Sequence, residues 1–219
     1  MTLSKDDDTR LAAARVCLVV ATGCSVGPTP PGLLAELGRL AASRASEDFP
    51  PAALKDAVRA MLRAGGYKPA GRQKPASEYL AQAAREGRFP SINGPVDCNN
   101  LLSLDTGLPI SLLDAAVVGP LALLRVCGPG ESYVFNQAGH EMDLNGLLCV
   151  CDATGRPLGN PVKDSMAAKL SDSSVDLAGF IYAPAALFSE AGLMAVGARF
   201  AELLAAHCGA ESARAIQVA

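Results

Sequence analysis

The sequence predicts an α+β fold, a compact single domain with layered mixed and antiparallel β-sheets flanked by helices. Three observations lead there. Half of the 219 residues are apolar and 19% are charged, which is enough for a core and unlike a disordered chain. Helical spacing dominates before Gly107 and again at the end, whereas short strand-like runs fill the stretch after Pro109. Strands and helices are segregated rather than alternating, which argues against a doubly wound dinucleotide fold.

The elements follow in order. Residues 1–11 are polar and are expected to fray as a flexible tail. Arg15 to Ala21 is a continuous β-branched run, read as a buried strand. A Gly/Pro/Ser loop, 23–31, leads to a helix over Gly32–Ser46 with Leu33, Leu34, Leu37 and Leu40 at helical spacing. Pro50-Pro51 opens a second helix that stops at Gly65-Gly66, and a third runs from Pro75 to Arg85. Asn93-Gly94-Pro95 then supplies a cap and a first-turn proline for a helix ending at Thr106. Gly107 suits a left-handed cap there, and Pro109 stops continuation. Beyond it, 121–127, 132–136, 147–151 and 177–182 read as strands separated by Gly-containing turns. An amphipathic Ala-rich helix over 185–208 closes a domain spanning 12–208, and 209–219 is expected to be a C-terminal tail.

Composition excludes several function classes. The net charge of −3 is unlike that of a histone-like polycation. The two histidines, His140 and His207, cannot build a three-His metal site. Seven scattered cysteines without a Cys-x-x-Cys pair are expected to be reduced thiols. No metal and no cofactor is expected: the P-loop and dinucleotide-binding glycine patterns are both missing. No apolar run reaches the ~20 residues of a membrane span. The start carries Asp6, Asp7 and Asp8, unlike a targeting peptide, so a cytoplasmic location without membrane contact is expected.

Four places can carry chemistry. Ser91, Asn93, Asp97, Asn99, Asn100 and Ser103 crowd polar groups around one helix start. They can bind a carbonyl, carboxylate or phosphate there, or they can be caps and satisfied core amides. Residues 55–88 hold eight cations against three acids, +5 in a chain whose remainder is −8. Lys68, Arg72 and Lys74 in that stretch can meet a phosphate backbone, or they can be an ordinary solvated face. Cys98 sits near a helix start that can activate a thiol, although a buried inert thiol is the plainer reading. Lys163, Asp164 and Ser165 form a polar loop of low specificity.

Together these segments resemble a known family: the B-three/B-four editing domain of the phenylalanyl-tRNA synthetase β subunit, and especially its free-standing relatives. The residues are Phe89-Pro90-Ser91-Ile92-Asn93, then Val96-Asp97-Cys98-Asn99-Asn100-Leu101, then Thr106-Gly107-Leu108-Pro109-Ile110 with Asp114. Ala64 to Pro69 with Arg72, and Lys163-Asp164-Ser165, resemble segments of the free-standing proteins. The likeness covers residues 12–205, and 89–114 is its specific part. It implies hydrolysis of the ester between a wrong amino acid and tRNA, acting in trans. The aminoacylated 3′ end of tRNA would be the partner, with its amino-acid moiety in the pocket.

Carried over residue by residue, Asn100 would orient substrate or water and Ser111 would position it. Ser91, Asn93, Asp97, Lys163, Asp164 and Ser165 would line the substrate site, and Lys68, Arg72 and Lys74 would meet RNA. Asp97 can equally brace the helix start. Ser111 stands where the synthetase domain has a His. The synthetase's Gly-rich Glu segment has no counterpart, and 155–160 lacks the Trp-containing motif of the free-standing relatives. A module that binds RNA, an amino acid or a protein without hydrolysis is therefore the alternative.

Overall fold

In the computed structural model, residues 1–46 and 48–219 are described. The chain opens with β1 (Thr2–Lys5) and β2 (Ala14–Thr22), followed by α1 (Pro31–Ser43), α2 (Ala52–Arg63), α3 (Ala76–Arg85) and α4 (Gly94–Thr106). The β-rich part runs β3 (Ile110–Asp114), α5 (Ala115–Val118), β4 (Leu121–Val126), β5 (Ser132–Val134), β6 (Glu141–Asp143), β7 (Leu148–Cys151), β8 (Pro157–Gly159) and β9 (Leu177–Pro184). The chain ends with α6 (Glu190–Cys208) and β10 (Ser212–Val218). This is an α+β architecture.

Two four-stranded sheets form its centre. One has the order β10-β2-β9-β3 and is antiparallel throughout. The other, β1-β4-β7-β8, is mixed because β1 runs parallel to β4. β2 and β9 are buried on both faces, as their unbroken apolar runs require. One face packs on α6. Gly197 of α6 lets Cys17 and Val19 approach, and Phe200 sits over Gly179 of β9, where a Cβ would lie 2.6 Å from its ring. The other face meets the second sheet. There Gly159 of β8 faces Ser111 and Leu113 of β3.

Several expectations need correction. Residues 1–11 are not a frayed tail: β1 pairs with β4, and Leu3 and Leu11 are buried. Nor do 209–219 trail free, because β10 pairs along β2 and covers that edge. Both are short, isolated apolar signals whose partners are distant in sequence. α6 is long and apolar enough, by length and composition alone, to cross a membrane. Its apolarity is spent on β2, β10 and α4, against which it packs. The last helix starts at Glu190, capped by Ser189, rather than at 185, whereas the start and stop of α4 are as expected. Asn93 caps α4 by accepting from Val96 N at 3.0 Å, and Gly107 ends it in the left-handed region at φ +73°.

Candidate functional site

α4 is the hub. Its first turn carries Asp97, which is fully buried. The Asp97 carboxylate accepts from Thr29 Oγ1 and Ser91 Oγ, each at 2.6 Å, and from Ile92 N at 3.1 Å. Ser91, Asn93 and Asp97 therefore act on one another and on the backbone. They tie the loop before α1 and the irregular 89–93 segment to the helix start, and an acid there also suits the helix dipole.

One turn further on, α4 opens onto a cavity of about 340 Å³. α3 contributes Ala76, Tyr79 and Leu80, α4 contributes Asn99, Asn100 and Ser103, and β3 contributes Ile110. Arg72, from the loop before α3, and Val162 and Lys163, from the loop after β8, complete it. The Asn100 amide is 6% exposed and makes no side-chain hydrogen bond among the described residues. Asn99 Oδ1 is buried with no hydrogen-bond partner among the described residues. Ser103 is committed, since its Oγ donates to Leu108 O at 2.7 Å. Two open amides beside the apolar side chains of Leu80, Ile110 and Val162 leave donors and acceptors for a ligand.

Ser111 lies elsewhere. Side chains alternate along a strand, so Ile110 enters the cavity and Ser111 points into the space between the sheets. Ser111 is fully buried, donates to Asp164 Oδ1 at 2.6 Å and lies 3.0 Å from Tyr182 Oη. The Asp164 carboxylate also accepts from Asn160 N at 3.3 Å and from the backbone of Leu112, on the open edge of β3. Burial pushes its pKa up to about 7, against the opposing pull of these hydrogen bonds and of Lys169.

Asn160 finishes the loop. Its Oδ1 accepts from Val162 N and Lys163 N at 2.8 and 3.0 Å. Ser165 caps the turn that follows by accepting from Ala167 N. Asp164 and Ser165 thus shape the loop, and of the Lys163-Asp164-Ser165 triplet Lys163 is the one in the cavity wall.

Lys163 Nζ lies 4.0 Å from the centroid of the Phe135 ring. Burial, and then the charge of Arg72, hold its pKa below the usual lysine value. Lys68 and Arg72 are exposed and make no ion pair among the described residues. Lys74 is half-buried, bound to Gln82 Oε1 and stacked over Tyr79 at 4.5 Å. Elsewhere in the basic stretch Arg59 is neutralised bidentately by Glu78 at 2.7 and 2.6 Å, and Arg88 pairs with Glu86.

No protein-family model matches the chain, and no curated protein sequence does. The structural comparison gives a distant neighbour. It is a crystal structure of an N-terminal fragment of the phenylalanyl-tRNA synthetase β subunit from Pyrococcus horikoshii. The TM-score is 0.49 at 11% identity, over 97% of this chain and 50% of that one. The chain thus spans about half the length of that fragment.

The thiol nucleophile is excluded by burial. Cys98 is fully enclosed, its Sγ donates to Leu203 O at 3.5 Å, and its pKa is driven up by hydrogen bonding to Cys208 and by burial. Among the described residues, no group of three or more His, Cys, Asp or Glu side chains is placed to hold a metal. Another cavity, of about 360 Å³, lies between α1, α4 and α6. Of its charged lining residues, Glu36 pairs with Arg199 and Asp105 pairs with Arg44, whereas Arg39 makes no ion pair among the described residues. Tyr79, Leu80 and Val162 were not legible as site residues, because their spacing is that of ordinary core positions. The tandem amide Asn99-Asn100 was the one available signal.

Proposed function

We propose that the chain takes the aminoacylated 3′ end of a tRNA into the Asn99–Asn100 cavity and hydrolyses the ester there. The observation that carries this reading is the Asn100 amide, open in a cavity wall where Leu80, Ile110 and Val162 supply apolar surface and Arg72 and Lys163 supply charge. The apolar wall takes the amino-acid side chain, and the amide holds the ester carbonyl or the attacking water. Arg72 and Lys163 meet the nucleic-acid phosphates, with Lys68 outside. The resemblance of residues 89–114 to the synthetase editing motif supports the same substrate.

An ester is already activated, so a positioned water needs little more than orientation and a preorganised donor. In the test, tRNAs mischarged with different amino acids are incubated with the protein and ester loss is followed. Deacylation above buffer is expected, with a loss of about 10²–10³-fold in Asn100→Ala. No turnover on any of them rejects the hydrolytic reading.

One observation favours the second reading, binding without hydrolysis. Among the described residues the cavity wall contains no carboxylate, imidazole or thiol, which leaves only Lys163 and Tyr79 as groups that could take a proton. Saturable binding of mischarged tRNA without ester loss is the outcome that would establish it.

A further inference from the structure

A second cavity, of about 310 Å³, adjoins the first and is lined by the β5–β6 hairpin. Arg72 and Lys163 line both cavities, so they form a common wall. Neither makes an ion pair among the described residues. Two like charges facing one cavity without an ion-pair partner repel each other, and an anion seated between them removes that cost. Arg72 offers a planar fork and Lys163 a point charge, the combination suited to a phosphate.

The rest of the second cavity has another character. Phe135 and His140 stack with centroids 6.2 Å apart, and the exposed His140 ring leaves π-surface open. Glu141 and Asp143 stand in the same wall. Ser132 Oγ donates to Glu141 at 3.3 Å and Asn145 N to Asp143 at 3.0 Å, so each carboxylate keeps acceptor capacity. A carboxylate pair repels a phosphate and accepts from an amino group. Anion affinity is therefore confined to the Arg72–Lys163 wall, and the remainder suits a flat, amino-bearing base.

We propose that this second cavity is a mononucleotide subsite, with the phosphate held between Arg72 and Lys163 and the base against His140 and Phe135. It rests on the proposed function only in sharing that wall, and it locates the terminal nucleotide beside the amino-acid cavity. The same chemistry can come from a free nucleotide or from an RNA end.

The probes are AMP, adenosine, inorganic phosphate and a short RNA ending in adenosine, titrated calorimetrically without any ester. AMP is expected to bind more tightly than adenosine or phosphate alone. Arg72→Ala and Lys163→Ala should each weaken AMP by about tenfold or more, as loss of a charge-assisted contact does. His140→Ala should weaken AMP and leave phosphate unchanged. Lys55→Ala, in the basic stretch but outside this wall, should leave AMP binding as it was.

Arg72 is exposed, so its variant tests the site without endangering the fold. AMP binding undetected at millimolar concentration overturns the proposal, as does a loss in Lys55→Ala equal to that in Arg72→Ala. The RNA arm then separates the sources: an RNA end tighter than AMP marks a nucleic-acid terminus, and AMP tighter than RNA marks a free nucleotide. AMP binding together with intact mischarged esters would retain the subsite and reject the hydrolytic reading alone.

Discussion

Asp97 separates a structural from a substrate role. Its carboxylate is fully buried and accepts three hydrogen bonds. A hydrogen bond to a charged group contributes about 1.5–3 kcal/mol, and such contributions within one network do not add. Ser91 is exposed, and its hydroxyl can turn to water, so its bond counts for little in Asp97→Ala. Thr29 Oγ1 and Ile92 N carry the cost, together with the lost favourable charge at the α4 start. The expected destabilisation is about 2–4 kcal/mol. At this chain length that is a fall of roughly 4–16 °C in Tm. Thermal melting by circular dichroism reads it directly, and amino-acid or tRNA binding is measured below the melting range. The reasoning is refuted if Asp97→Ala melts with the parent while losing ligand binding, because Asp97 would then be a substrate contact.

Other perturbations give equally definite outcomes. Asp164, whose pKa is raised to about 7 in the fold, keeps a proton that the unfolded chain releases above about 4. Its stabilising contribution is therefore complete below the unfolded value and is lost as pH rises through about 7. Melting from pH 4.5 to 8 should show this fall, and Asp164→Asn should flatten it. Ser111→Ala should lower stability by about 1–2 kcal/mol through the Asp164 network. It should cost far less activity than Asn100→Ala; the opposite order in a deacylation assay would return Ser111 to the reacting centre. Gly38 lies within α1 with open space around its Cβ position, so Gly38→Ala should stabilise by about 0.5–1 kcal/mol. Gly65→Ala should be strongly destabilising in the same melting experiment, since its Cβ would lie 2.1 Å from Gly146 O.

Local chemistry was enough to read much of this protein from its sequence. Proline-opened helices, the Asn93 cap, the Gly107 stop and the β-branched run at 15–21 are decided by residues close together in the chain, and the structure has each of them. Asn100 in a cavity wall was legible from its motif. What escaped the sequence depends on partners far away in the chain. β1 and β10 become strands because β4 and β2 offer them backbone groups, and their own few apolar residues announce neither. Ser111 was placed beside Asn100 by proximity to a motif. The alternation of β3 turns it to the other face, where Asp164 lies 53 residues away in sequence. The pairing of Arg72 with Lys163 across two cavities is a tertiary outcome of the same kind. Sequence spacing sets which face of an element a side chain takes, and only the packing of elements decides what that face meets.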